Sequence, residues 1–169
     1  MPIYLGLGSN LGNRRRYLSM AIQDLKTQGI RPIQSSSIYE TEPVGVPGQR
    51  NFLNMVCQVE TVDNPLCLLK RCQQTELKFG RKRQKIARTI DIDLLFFRDL
   101  LFSDHKLKVP HPRLYGRRFV LLPMAEIAPN FCDPQSKLSI SELLENCPDS
   151  SSVRPVRNFM PTYPQKALL

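Results

Sequence analysis

The spacing of apolar positions in the first half of the chain predicts two helices set among four strands. Residues 3–7, IYLGL, form a short apolar segment that is typical of a buried strand. In residues 14–28 the apolar side chains recur at helical spacing, with Asn13 placed to cap the start of the helix and Gly29 to end it. The apolar positions of this predicted helix are Leu18, Ala21, Ile22 and Leu25.

Residues 51–61, NFLNMVCQVET, show the clearest strand pattern in the chain. One face would carry Leu53, Met55, Cys57 and Val59, and the other Phe52, Asn54, Val56 and Gln58. Residues 31–41 predict the preceding strand, and the intervening 42–50 contains two prolines and two glycines, which indicates a loop. A second helix is predicted within 63–80, capped by Asp63 or Asn64, and a last strand over 89–97.

The resulting order, β-α-β-β-α-β, predicts an α+β fold with a ferredoxin-like sheet. We expect its helices on one face of the sheet and the other face open for a ligand. Residues 100–112 suggest an extra strand or hairpin, and two short helices are expected within 117–129 and 139–147. From about Pro148 the chain is rich in proline and serine. We therefore predict one domain over 1–148 and an irregular tail or linker over 149–169.

Composition narrows the classes of partner. The chain has 169 residues, which suits one domain, and carries 24 Lys and Arg against 15 Asp and Glu, a formal charge of +9. This excess favours anionic partners such as nucleotides, nucleic acids or anionic membranes. No run approaches the roughly 20 apolar residues of a membrane span, and no secretory signal is visible. Five scattered cysteines without a CxxC pair predict a reduced, cytoplasmic protein.

The stretch GRKRQKIARTIDIDLLFF, residues 80–97, combines charge with a buried strand. Asp91 and Asp93 would share one strand face with their carboxylates about 7 Å apart. Their repulsion, about 2 kcal/mol at an effective dielectric near 20, favours a neutralising cation, and Mg²⁺ prefers such oxygen ligands. With the five cations of 81–88, this pattern indicates a clamp for polyphosphate. The alternative is a surface network in which these aspartates pair with the upstream arginines.

Other signals are weaker. GLGSNLG at residues 6–12 lacks both the dinucleotide-binding spacing and the Gly-Lys-Ser/Thr of a phosphate-binding loop, so we expect a turn between strand and helix there. His111 lies close in sequence to three arginines and is either a phosphate contact or an exposed loop residue. Phe52 and Phe119 could belong to the core. Phe52, however, shares its strand face with Asn54, and an aromatic ring beside an amide suits a flat, hydrogen-bonding heterocycle.

Seven collinear segments resemble one enzyme family, 6-hydroxymethyl-7,8-dihydropterin pyrophosphokinase of folate synthesis. They are YLGLGSNLG, YETEPVG, FLNMV, ELKFGRKR, RTIDIDLLFF, VPHPRLYGRRFVLLP and EIAP, and the resemblance spans about residues 3–130. It implies a ferredoxin-like fold with extra elements. It also implies transfer of diphosphate from ATP to the pterin hydroxymethyl group, with release of AMP, and in some members fusion to dihydropteroate synthase.

The resemblance also implies residue roles. Asp91 and Asp93 would hold two Mg²⁺ ions that bridge the ATP phosphates. Arg81 and Arg88 would be catalytic, stabilising the transition state. The implied ATP-binding residues are Gln73, Arg83, His111 and Arg117. The implied pterin-binding residues are Thr41, Pro43, Val44, Phe52, Asn54 and Phe119, with the two phenylalanines stacking on the ring.

Two other functions compete with this interpretation. A nucleotidyltransferase with an Asp-x-Asp pair would place Gly-Ser close before the acidic pair, but here Gly8 and Ser9 lie far upstream of Asp91. An RNA-recognition module has the same element order and a basic charge, but its aromatic signature is missing from residues 51–59. We therefore expect small-molecule substrates, with neither nucleic acid nor membrane as a partner.

Overall fold

A computed structural model describes residues 1–43, 48, 50–80 and 89–156, and the statements below refer to these residues. The strands are β1 (Ile3–Ser9), β2 (Arg31–Ser35), β3 (Tyr39–Thr41), β4 (Phe52–Glu60), β5 (Asp91–Phe97), β6 (Phe102–Ser103), β7 (Lys108–Val109) and β8 (Val153–Pro155). The helices are α1 (Arg14–Thr27), α2 (Pro65–Lys78), α3 (Arg118–Ile127) and α4 (Ile140–Glu145), with a 3-10 turn at Leu114–Gly116.

The main sheet is antiparallel throughout its pairs and has the strand order β5-β1-β4-β3-β8, with β2 also paired to β4. The strand predicted over 31–41 is therefore two strands. Its break lies at Ser36, whose hydroxyl oxygen accepts a hydrogen bond from the backbone N–H of Val56 at 3.0 Å. A side chain thus replaces a backbone partner, and the chain bends between β2 and β3.

Helices α1 and α2 cover one face of the sheet and form the larger apolar core. Buried side chains of β1, β4 and β5 pack there against α1 and α2, including Leu5, Met55, Ile92, Leu18 and Leu68. Both helices start at an asparagine cap. Asn13 accepts from the N–H of Arg16 at 3.1 Å, and Asn64 accepts from that of Cys67 at 2.9 Å. The second cap is therefore Asn64 rather than Asp63.

The prediction that helices cover only one face is wrong. A second core lies on the other face, where α3 and α4 bury strand residues of that side. The sheet contributes Tyr4, Val56, Leu95 and Phe96, and the helices contribute Val120, Leu121, Met124, Ile140 and Leu143. These apolar side chains would otherwise face water, so the two short helices shield them. Only part of the second face remains available for a ligand.

The C-terminal part of the described chain adds two features. The expected hairpin is present as β6 and β7. Within the segment predicted to be an irregular tail, Val153–Pro155 forms β8 and pairs with β3, Val153 opposite Thr41. The described part of that segment is thus partly regular, while the domain limit near 148 stays a prediction. Among the described residues, the helices are too short or too polar to cross a membrane.

Candidate active site

Two glycines of β1 form the floor of the candidate site. Gly8 lies opposite Asn54 of β4 on one side and Asp91 of β5 on the other, and Gly6 lies opposite Val56 and Asp93 in the same way. Directly opposite residues of an antiparallel pair share a face. The strand between the aspartates and Asn54 therefore presents no side chain at these positions. The expected turn starts later, because β1 continues to Ser9.

Space explains why glycine occupies these positions. A Cβ atom on Gly8 would lie 2.9 Å from Oδ1 of Asn54, which is closer than such contacts allow. A Cβ on Gly6 would lie 3.4 Å from the methyl groups of Leu95, a tight contact with a flexible side chain. The alternation Gly-x-Gly inside an apolar segment was the sequence signal for this floor, since a strand glycine often marks a close approach.

Asp91 and Asp93 are partly exposed at the β5 side of this floor. Oδ2 of Asp93 accepts a hydrogen bond from Nη1 of Arg117 at 3.1 Å, and Nε2 of His111 lies 3.9 Å away. The structure thus brings together four of the predicted residues. In the described part of the chain, the cation bonded to Asp93 is a downstream arginine, and the upstream arginines of 81–88 lie outside the described residues.

His111 is held in a defined orientation. Its backbone N–H donates to the carbonyl of Leu95 at 2.9 Å, and its Nδ1 accepts from the backbone N–H of Arg113 at 3.2 Å. The proton of the neutral ring is therefore assigned to Nε2, on the side of Asp93. Burial lowers the pKa of His111, and this outweighs the opposing effect of Asp93. A neutral imidazole that can donate a hydrogen bond is thus favoured at neutral pH.

Arg117 and Phe119 stand at the start of α3. The guanidinium carbon of Arg117 lies 5.5 Å from the centroid of the Phe119 ring, a cation–π arrangement. Burial lowers the pKa of Arg117 and Asp93 opposes this, but a guanidinium keeps its charge at neutral pH. One side chain therefore contacts both Asp93 and the predicted stacking residue.

Asn54 and Thr41 form a polar pair on the other side of the floor. Both are buried, and Nδ2 of Asn54 donates to Oγ1 of Thr41 at 2.8 Å. This bond orients the amide, so that its Oδ1 lies beside Gly8. Phe52 is partly buried on the same strand face, and its ring edge lies 3.9 Å from a Cβ placed on Gly8. An oriented amide next to an aromatic ring can bind the edge of a heterocycle.

Several predicted residues are not placed beside these groups. Gln73 is exposed on α2, which packs on the opposite face of the sheet. Pro43 ends the described stretch after β3. The predicted residues Val44, Arg81, Arg83 and Arg88 lie outside the described residues. Their roles stay predictions.

Glu76 was missed by the sequence analysis. Its side chain is 1% exposed, and its Oε1 accepts from the backbone N–H of Ile92 at 2.8 Å. Ile92 lies between Asp91 and Asp93. The Glu76 carboxylate therefore holds the β5 backbone in place at the point from which both aspartate side chains extend. The signal was a glutamate at the end of a helical apolar stripe, four residues after Cys72 and eight after Leu68.

Comparison with known proteins identifies the family. The family model described as 7,8-dihydro-6-hydroxymethylpterin-pyrophosphokinase (HPPK) matches residues 4–129. The chain belongs to this family. It is 45% identical over 127 residues to a 2-amino-4-hydroxy-6-hydroxymethyldihydropteridine pyrophosphokinase of Bacillus subtilis, which covers 73% of the chain and 76% of that protein. The family resemblance inferred from the sequence is thus confirmed, and the Bacillus subtilis relative is named as a pyrophosphokinase.

Longer relatives also match. The folic acid synthesis protein fol1 of Pneumocystis carinii is 35% identical over 168 residues, covering 98% of the chain. The chain spans only 22% of that relative and 22% of the fol1 protein of Schizosaccharomyces pombe. Among solved structures, an HPPK-DHPS triple mutant of Plasmodium falciparum aligns with a TM-score of 0.71 at 17% identity, over 85% of this chain and 42% of that one. This likeness supports the mixed α/β fold.

Proposed function

We propose that the chain transfers diphosphate from ATP to the hydroxymethyl group of 6-hydroxymethyl-7,8-dihydropterin and releases AMP. Family membership over residues 4–129 supports this reaction over the nucleotidyltransferase and RNA-binding alternatives. The strand order β5-β1-β4-β3 with two crossing helices supports the ferredoxin-like assignment. A cytoplasmic location accords with folate synthesis.

One observation carries the proposal. The acidic pair and the Asn54–Thr41 pair lie on the same sheet face with only glycine positions of β1 between them. Neighbouring strands are about 4.8 Å apart, so the backbones of Asp91 and Asn54 are separated by about 10 Å. This distance suits a substrate whose ring binds at Asn54 while its hydroxymethyl arm points toward phosphates held at β5.

The residues of β5 fit a phosphate-bridging cation. Asp91 and Asp93 are partly exposed carboxylates on one face, and oxygen ligands of this type suit Mg²⁺. No cluster of three or more acidic, histidine or cysteine side chains able to hold a metal occurs among the described residues. Two Mg²⁺ ions at Asp91 and Asp93 would therefore complete their shells with water and ATP phosphate oxygens. Bound there, they would neutralise charge on the phosphates during transfer.

Side chains of the protein would bind the ATP phosphates and stabilise the transition state. Arg117 and neutral His111 lie beside Asp93, where they would donate hydrogen bonds to phosphate oxygens. Gln73 and Arg83 are proposed as further ATP contacts, and Arg81 and Arg88 as stabilisers of the charge that develops in the transition state. The nucleophile is an alcohol, so in-line positioning against the β-phosphorus supplies much of the acceleration.

The proposed pterin-binding part of the site, called the pterin half below, consists of Asn54, Thr41, Phe52 and Phe119. The Oδ1 and second N–H of Asn54 remain for the polar edge of the ring, because the first N–H is bonded to Thr41. Phe52 and Phe119 are proposed to stack on the two faces of the ring. Backbone groups near Pro43 and Val44 would complete the edge contacts. Fusion to dihydropteroate synthase is proposed for the full-length protein, as the name HPPK-DHPS of the structural relatives suggests.

The test is a direct assay of AMP formation from ATP with the hydroxymethyl pterin and Mg²⁺. Asp91→Asn and Asp93→Asn are expected to abolish turnover without unfolding the chain, because each keeps its shape but loses the charge that holds a cation. Asp99→Asn is the matched control, since Asp99 is an exposed aspartate just after the same strand. Near-normal turnover in either β5 variant at ordinary Mg²⁺ would refute the assignment.

A further inference from the structure

Helix α3 starts without a cap of its own. Arg117 occupies the position before its first turn, and its side chain makes no capping bond because it is directed to Asp93. The first turn carries no acidic residue. Backbone N–H groups at a helix start need an acceptor from elsewhere when the local sequence supplies none.

Asp149 supplies that acceptor from 31 positions further along the chain. Its Oδ2 accepts from the backbone N–H of Arg118, the first residue of α3, at 2.9 Å. Its Oδ1 accepts from the backbone N–H of Ser151 at 2.9 Å, so a local turn holds the carboxylate in place. Burial would raise the pKa of Asp149, but these hydrogen bonds and the nearby Arg118 lower it. The carboxylate is therefore charged at neutral pH and suits a helix start.

The chain that follows Asp149 is fixed to the opposite side of the candidate site. Val153 pairs with Thr41 in the sheet, and the N–H of Val156 donates to the carbonyl of Ile38 at 2.8 Å. The segment 149–156 thus contacts the helix that carries Phe119 and the strand that carries Thr41. These are the two walls of the proposed pterin half.

We propose that Asp149 is a positioning residue for pterin binding, because it fixes the first residue of α3 and with it Phe119. Arg117 precedes the helix and is held separately by its bond to Asp93. This inference rests on the proposed function, in which Phe119 stacks on the pterin. Asp149 itself does not touch the reacting groups. Its effect is transmitted through one backbone bond to the residue that lies between Arg117 and Phe119.

The test compares Asp149→Ala with Asp149→Asn and with Asn64→Ala in the intact chain. Asn64 caps α2 beyond Glu60, the end of β4 that is farther from Asn54, so its alanine variant loses one helix cap away from the site. Loss of one cap corresponds to about a fivefold change in equilibrium. We expect Asp149→Ala to weaken pterin binding about fivefold by calorimetry and to leave ATP binding within twofold. Asp149→Asn keeps an acceptor oxygen and should restore most of the affinity.

Two further measurements separate positioning from a merely structural role. In a Phe119→Ala background, Asp149→Ala should cost no additional pterin affinity, because the group it positions is gone. Hydrogen exchange of the first α3 amides should accelerate in Asp149→Ala and not in Asn64→Ala, which tests the cap without any ligand. Unchanged exchange, or equal loss of ATP and pterin affinity, overturns the inference. Failure of the wild-type chain to bind the pterin would instead overturn the proposed function.

Discussion

Replacing Gly8 by alanine adds one methyl group to the floor between the acidic pair and the pterin half. Its carbon would lie 2.9 Å from Oδ1 of Asn54, so one of the two groups must move. The β1 backbone is paired on both sides, and Asn54 is buried and bonded to Thr41. Neither can shift without losing hydrogen bonds, so the strain should appear at the Asn54 amide.

The magnitude follows from the groups displaced. Overpacking a close contact costs ~1–3 kcal/mol, and loss of the Asn54–Thr41 hydrogen bond about 1 kcal/mol. If the displaced amide no longer meets the pterin edge, binding loses about 2 kcal/mol, which is roughly 30-fold in affinity. ATP affinity should change little, because the described groups around Asp93 do not include Asn54.

The assay is calorimetric binding of pterin and ATP to Gly8→Ala, alongside thermal unfolding. Gly6→Ala is a graded comparison, because its methyl group would meet the flexible Leu95 at 3.4 Å and should cost less. Gly116→Ala is the control, since nothing lies within 4 Å of a Cβ there. Pterin affinity within twofold of wild type in Gly8→Ala would refute the argument. So would a 30-fold loss that persists when Gly8→Ala is added to Asn54→Ala.

Two further predictions concern residues that support the site. Glu76→Ala should destabilise the fold by ~1–3 kcal/mol and weaken Mg²⁺-dependent ATP binding, because the buried N–H of Ile92 loses its acceptor. Glu76→Gln keeps an acceptor oxygen and should reduce stability and ATP affinity less. An effect on stability without any effect on ATP binding would make Glu76 purely structural. Burial and the bond to Glu126 raise the pKa of Tyr39 to about 12, above its value of about 10 in the unfolded chain. The contribution of Tyr39 to stability should be fully present below pH 10 and lost between pH 10 and 12. The measurement is the difference in unfolding free energy between wild type and Tyr39→Phe as a function of pH. A difference that grows with pH between about 10 and 12 would contradict this direction.

Local patterns predicted much of this fold because their causes are local. Asparagine caps before apolar stripes set the starts of α1 and α2, and two-residue alternation placed Phe52 and Asn54 on one face of β4. The same alternation placed Asp91 and Asp93 together. Each of these features depends on residues within a few positions of one another, so the local sequence is sufficient to predict it.

The features that escaped prediction depend on pairings between distant residues. The glycines of β1 are as typical of a turn as of a strand, and only their register with Asn54 and Asp91 shows that they form a floor. Asp149 caps a helix that starts 31 positions earlier, whereas capping rules consider only neighbouring residues. Coverage of the second face by α3 and α4 follows likewise from where the chain returns to the sheet, which residue spacing along one strand does not reveal.

The two halves of the candidate site are physically linked through Arg117. Its guanidinium donates to Asp93 on one side and lies over the ring of Phe119 on the other. Under the proposed function, a cation at Asp93 would compete with Arg117 for the same carboxylate charge, and phosphate oxygens would then offer the guanidinium a two-point partner in exchange. Any such exchange would shift the group that packs on Phe119, so under the proposed function the binding of nucleotide and the binding of pterin would be coupled. This coupling would arise because Arg117 is the residue immediately before α3, where the backbone places one side chain beside both Asp93 and Phe119.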